Sequence, residues 1–253
     1  MKAACVLLLM SSPTGVFAQA YSTSFPLTEN PISEKGKWIG GQSAGRDLWG
    51  DVQTSGGMAL GVSEPTKFGD PTAILTGAWH PDQWAQITVK ITQKSTVCCH
   101  EIEVRLRTTI STNTITGYEV YCSIVPGNRY CHIARWSGPN GLYCNIEPSS
   151  PKIILVNGDV LKGTVTGSNP TVITGYLNGV QIMQVSDTGN EGGDGTDCGA
   201  GRPVFTSGSP GLGFYDDKDD HQFGSFGVSH FAAGAEPRRR QPGPVQRPSG
   251  RSR

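Results

Sequence analysis

Along residues 101–107 the side chains alternate strictly. Ile102, Val104 and Leu106 are apolar, and Glu101, Glu103, Arg105 and Arg107 between them are charged. Successive side chains of a strand point to opposite faces, so this run predicts a β-strand with one buried face. Shorter runs of the same kind recur at 35–40, 57–62, 83–92, 117–125, 129–136, 141–147, 211–215 and 223–231. Asn157-Gly158 and Asn178-Gly179 lie between β-prone stretches, and Asn-Gly is the dipeptide that best suits a tight hairpin. The second pair joins 171–177 to 180–185, whereas 187–201 reads as a Gly- and acid-rich loop. No internal repeat or amphipathic helix appears. Many short strands joined by turns, without helices, predict an all-β sandwich or barrel.

The same parity extends across the central hairpins. A turn at Pro126-Gly127 sets Cys122 opposite Cys131, which predicts a Cys122–Cys131 disulfide, with two buried free thiols as the alternative. The next turn, 138–141, pairs Trp136 with Tyr143 and Ala134 with Asn145. One side then collects Tyr118, Val120, Cys122, Ile124, Ile133, Leu142, Cys144 and Ile146, together with Arg135, an exception the pattern does not account for. The other collects Glu119, Tyr121, Tyr130, His132, Trp136, Tyr143, Asn145 and Glu147. Joined to Glu103, Arg105 and Arg107, these form one predicted outward face of rings, charges and amides.

Composition narrows the setting. Lys2, the apolar run 3–10 and Ala18-Gln19-Ala20 have the layout of a secretory signal over residues 1–20. That run is far shorter than the roughly 20 residues a membrane span needs, and no later segment supplies one. Cys5 leaves with the signal, and six cysteines remain, an even number that suits disulfides in an exported domain. Residues 21–235 hold 20 acidic and 14 basic residues. An acidic body argues against nucleic acid as the ligand. Residues 236–253 carry six arginines among prolines and read as a disordered basic tail.

Tyr176-Leu-Asn-Gly-Val-Gln, then Gly208-Ser-Pro-Gly-Leu-Gly-Phe and Phe223-Gly-Ser-Phe-Gly-Val, resemble the closing strands of the concanavalin A-like lectin/glucanase superfamily. Gly117-Tyr-Glu-Val-Tyr and Ile133-Ala-Arg-Trp resemble its central ones. The resemblance covers about residues 25–233 and implies a two-sheet antiparallel jelly-roll β-sandwich in residues 21–235, of the laminin-G-like kind. Its motifs are structural and shared by binding and catalytic members. The expected function is a secreted, extracellular module that binds a polysaccharide or glycan through Glu103, Arg105, Arg107, Glu119, Tyr121, His132, Trp136 and Tyr143. Rings pack on sugar C–H faces, and Arg, Glu and His bond hydroxyls.

Two alternatives remain open at this stage, an enzyme of the same fold or a structural, adhesive surface module. A glucanase of this superfamily places a third acid after Glu101-Ile-Glu103, where this chain has Arg105 or Leu106. A lyase would need an Arg for a uronate carboxylate and a Tyr or His base, which Arg105, Arg107, Tyr121, His132 and Tyr143 supply by type, although the alginate-lyase motifs are missing. Calcium is the single candidate cofactor, with Asp194, Asp197, Asp216, Asp217, Asp219 and Asp220 as hard oxygen ligands in loops.

Overall fold

The computed structural model describes residues 19–41, 49–62, 69–94, 99–111, 114–139, 141–216 and 223–237. The expected signal segment, apart from its last two residues, and the expected basic tail beyond Pro237 lie outside them. Sixteen strands occur there: β1 (Ala20–Thr23), β2 (Trp38–Gly40), β3 (Val52–Ser55), β4 (Met58–Gly61), β5 (Thr72–Leu75), β6 (Gln83–Ile91), β7 (Glu101–Ser111), β8 (Thr114–Ser123), β9 (Cys131–Gly138), β10 (Tyr143–Asn145), β11 (Val160–Thr166), β12 (Thr171–Leu177), β13 (Val180–Asp187), β14 (Asp194–Gly195), β15 (Ser209–Tyr215) and β16 (Phe226–Ala235). A single short 3-10 turn, Phe223–Ser225, is the one helical element among the described residues.

The strands form two antiparallel sheets. Sheet I runs β13-β12-β11-β6-β16-β4-β3, with β1 also paired to β16, and sheet II runs β14-β10-β9-β8-β7-β15-β5-β2. Their inner faces meet in one core, to which sheet II gives Ile102, Val104, Leu106, Val120, Ile133 and Leu212 and sheet I gives Ile87, Val89, Leu161, Ile173, Val228 and Phe231. This is the predicted two-sheet β-sandwich, and burying these faces is the main force that holds it.

The predicted register holds in the central hairpins. Cys122 pairs with Cys131, Trp136 with Tyr143 and Ala134 with Asn145. The Cys122–Cys131 disulfide is formed, and a second bridge joins Cys144 to Cys198. Asn178-Gly179 closes the β12–β13 hairpin with positive φ at both residues, 51° and 81°, the backbone that a type I′ turn requires. Asn157-Gly158 behaves differently. The residues before it are not a strand, and the Asn157 side chain instead accepts the Ile91 N–H at 3.0 Å, fastening the turn to the end of β6.

Arg135 lies on the inner side because an acid awaits it there. Its Nη1 donates to Asp187 Oδ1 at 2.6 Å, and Tyr118 Oη donates to Asp187 Oδ2 at 2.6 Å. Arg135 and Asp187 are both fully buried, so neither charge is left unpaired in the sandwich.

The two bridges differ in the loop they close. Cys144–Cys198 spans 54 residues and Cys122–Cys131 spans 9. Loop-closure entropy then assigns the long bridge about 4 kcal/mol and the short one about 2.5 kcal/mol. Replacing each pair by alanines should lower the denaturant midpoint more for Cys144/Cys198 than for Cys122/Cys131. Equal losses in chemical unfolding would contradict this ranking.

Candidate functional site

On the outer side of sheet II the register builds two adjacent rows. Gly211, Arg105, Glu119, Ala134 and Asn145 lie across five strands, and Gly213, Glu103, Tyr121 and His132 lie beside them. Gly211, Gly213 and Ala134 flank the long residues, which gives the long side chains room to lie over the sheet. Gly213 shows the need most directly, because a Cβ there would stand 2.1 Å from Glu103 Oε2.

Arg105 occupies the centre. Its Nη2 donates to Glu103 Oε2 at 2.7 Å and to Asp70 Oδ1, and its Nη1 lies 3.1 Å from Glu119 Oε2. The guanidinium also sits 5.2 Å from the Trp136 ring and 5.9 Å from Trp49, within cation–π range of both. The two indoles meet edge to face at 5.0 Å, and Trp136 Nε1 donates to Glu119 Oε2. Parity therefore sorts this face as the sequence predicts, but the face is not bare. Trp49 and Asp70, from connections outside the central hairpins, pack over it, and Glu103, Arg105, Glu119 and Trp136 are all buried.

Beside this cluster lies a pocket of about 210 Å³, lined by Asp70, Glu101, Glu119, Tyr121, Trp136 and Tyr143 together with Cys99, Ala134 and Tyr215. Tyr143 stands 5.1 Å from Trp136. Tyr121 Oη donates to Asn145 Oδ1 at 3.0 Å, and Tyr130 Oη donates to Glu101 Oε1. His132 does not line the pocket. Its ring lies 5.3 Å from that of Tyr121, tilted against it, and it pairs with Glu147 at 2.5 Å, so it props the ring that does.

Three carboxyl groups, Asp70, Glu103 and Glu119, thus share one cation, and Glu101 feels its charge. Burial raises Asp70 to about 7 against the pull of Arg105, and it lifts Glu101 well above the usual carboxylate range. Glu103 is raised by burial and by the neighbouring Asp70 and Glu119. Burial also raises Glu119, while Arg105, the Trp136 indole and a hydrogen bond from Glu103 act in the opposite sense. Burial thus favours the protonated form throughout the cluster, and the Arg105 charge opposes it. Burial raises Tyr121 and Tyr143 as well, so these phenols are hydrogen-bond donors and unsuited to act as bases.

Arg107 is the residue that departs from the predicted face. The β7–β8 register shifts between Leu106 and Thr109, and Arg107 has φ 47°. A bulge re-aims the side chain it carries. Arg107 accordingly bonds the carbonyls of Pro81 at 2.7 Å, Phe205 at 2.9 Å and Gly167 at 2.8 Å, away from Arg105. The calcium candidates do not converge either. Asp197 pairs with Arg202 and Ser137, Asp216 with His100, and Asp194 stands on β14. Asp217, Asp219 and Asp220 lie outside the described residues, and no group of three or more potential metal ligands occurs among those described. The sequence reading omitted Trp49, Asp70, Glu101 and Tyr215 from the site. Glu101 shares the parity of Glu103 and was detectable; Trp49 and Asp70 come from connections with no periodic signal.

Sharing one guanidinium has a measurable cost when it is removed. Arg105→Met should destabilise the fold by about 3–5 kcal/mol at pH 7, the range for stripping one partner from a buried ion pair, and by much less near pH 4, where the carboxyls are protonated. Asp70, raised in the folded state, holds its proton more tightly folded than unfolded. Its contribution is complete below its unfolded pKa and is lost as pH rises toward about 7. Asp70→Asn should therefore flatten the fall in denaturant midpoint between pH 4 and 8. Parallel profiles for the two proteins would refute that assignment.

No protein-family model and no curated protein matches the sequence. Solved structures do match in shape. A β-agarase A in complex with oligoagarose aligns with a TM-score of 0.51 at 11% identity, covering 86% of this chain and 92% of that one. Carbohydrate-binding module CBM66 from Bacillus subtilis aligns at 0.48 and 13% identity, covering 81% and 95%. The Emp47p carbohydrate recognition domain aligns at 0.48 and 10%, covering 85% and 95%. Identities this low speak to architecture alone, and the β-agarase alignment agrees with the two antiparallel sheets: the chain folds as a two-sheet jelly-roll β-sandwich.

Proposed function

We propose that this chain is an exported glycan-binding module that seats one sugar unit of an extracellular polysaccharide in the sheet II pocket. The observation that carries the reading is the meeting of Tyr121, Trp136 and Tyr143 with Asp70, Glu101 and Glu119 around one cavity. Rings offer surface for sugar C–H faces, and carboxyl groups accept hydroxyl hydrogen bonds, or donate them when protonated. At about 210 Å³ the cavity falls below the ~300–1,000 Å³ common for drug-sized ligands, which suits a single ring. Its acidic wall favours a neutral sugar over a uronate. Arg105 is already engaged by three carboxyls and Arg107 points elsewhere, so neither cation is free to neutralise a uronate, as a lyase requires. Export is supported by the signal-like residues 1–20 and by two disulfides, which persist in oxidising compartments. No helix among the described residues is long and apolar enough to cross a membrane.

One observation favours a second reading, glycoside hydrolysis, which pairs a protonated acid with an ionised carboxylate. Glu101 is the raised acid on the pocket wall, and Glu119, also raised by burial, is the carboxyl whose ionised form Arg105 and Trp136 favour.

Titration calorimetry with neutral oligosaccharides should give binding that Tyr143→Ala and Glu101→Gln each weaken at least tenfold, with no new reducing ends released. Undiminished affinity in both variants would remove the pocket from the binding site. Reducing ends released by the wild type and lost in Glu119→Gln would establish the hydrolase.

A further inference from the structure

The outer face of sheet I carries a second constellation, independent of the pocket. The register places Trp84, Thr164, Thr174 and Gln184 side by side across β6, β11, β12 and β13, with Gln86, Lys162, Tyr176 and Gln181 in the next row. A groove of about 880 Å³ lies over the Thr164 and Thr174 row, bordered by residues 81–82, 167–168 and 236–237. It is about four times the volume of the sheet II pocket, room for several consecutive rings.

Gln184 Nε2 donates to Thr174 Oγ1 at 2.8 Å, but several other polar groups in this groove are not consumed by the fold. Thr164 is 6% exposed, and its hydroxyl has no hydrogen-bond partner among the described residues. Thr166, Ser168 and Gln181 likewise form no side-chain hydrogen bond there. A hydroxyl that the fold leaves unpartnered and that lines a groove is suited to a ligand, which it can meet as donor or acceptor. The charged groups, by contrast, are matched. Asp82 Oδ1 accepts the Gly167 N–H at 2.9 Å and lies 3.5 Å from Arg107 Nη2. Lys162 Nζ lies 3.9 Å from Glu236 Oε2 and within 5.1 Å and 5.9 Å of the Trp84 and Tyr176 rings. An ionic partner finds no unmatched charge here. A neutral polyhydroxylic chain finds hydroxyl and amide groups that both donate and accept, with Tyr176 as an aromatic shelf.

We propose that this groove is a second glycan site, which holds an extended neutral polysaccharide chain across β11–β13 on the face of the sandwich opposite the pocket. Native affinity electrophoresis of the full chain through gels containing hydroxyethylcellulose, xylan or galactomannan tests it, with alginate as the anionic comparator. At least one neutral polymer should retard the wild type. Tyr176→Ala and the near-isosteric Thr164→Val should each reduce that retardation at least tenfold in apparent affinity, while leaving oligosaccharide titration at the sheet II pocket unchanged. Gln184→Ala, at an exposed position, repeats the test with the least risk to folding. Tyr143→Ala should show the converse pattern, so the two sites fail separately. Undiminished retardation in all three groove variants, retardation by alginate alone, or none by the three neutral polymers overturns the proposal.

Discussion

A single guanidinium organises sheet II. Arg105 is buried on an outer sheet face, where a lone charge would be costly to desolvate, and three carboxyl groups and two indoles surround it. Each neighbour is held in place by the same contact. Glu103 has room because Gly213 leaves space, Glu119 is fixed by Trp136 as well as by Arg105, and Asp70 is presented by a connection whose Gly69 and Pro71 carbonyls accept the Asp216 and Phe214 N–H groups. The carboxyls outnumber the cation, so burial is met partly by protonation. The result is a polar cluster that stays compact in a low-dielectric setting and borders a cavity with donors and acceptors already oriented.

The two outer faces of the sandwich solve different problems with the same strand parity. On sheet II the outward residues are long and charged, and they are capped until only a small cavity remains. On sheet I the wide groove lies where short hydroxyl side chains, Thr164, Thr166 and Thr174, line it. Glycines serve both arrangements. Gly163 and Gly175 sit on the inner side of β11 and β12, where added Cβ atoms would meet Leu106, Val120 and Met183 at 2.9–3.1 Å. The sheets therefore approach closely beneath the groove, and the support for its Thr floor is packed solid.

Much of this was legible from alternation alone. The 101–107 run, the Cys122–Cys131 register and the Trp136–Tyr143 pairing all follow from a period of two and the placement of turns, and the resemblance of 117–136 and 176–228 to concanavalin A-like strands holds at the level of fold. What escaped the sequence was whatever depended on connections. Trp49 and Asp70 have no periodicity to mark them, so the cover over Arg105 could not be foreseen, and an open face was expected where the structure has a lined pocket. Arg135 looked anomalous because its partner, Asp187, lies 52 residues away on the other sheet. The groove was missed for another reason, since a row of Thr and Gln on alternating positions reads as ordinary solvated strand.

The bulge at Arg107 partitions positive charge between the faces. With regular pleating through 106–109, Arg107 would rejoin Arg105 and bring a second guanidinium to the carboxyl cluster, shifting those acids toward ionisation. The carbonyls of Pro81, Gly167 and Phe205 would at the same time lose their shared donor. One irregular backbone step on β7 thus keeps the acid cavity short of cations and fastens three segments at the far end of the sandwich, so the chemistry of one surface and the anchoring of the other are set at a single residue.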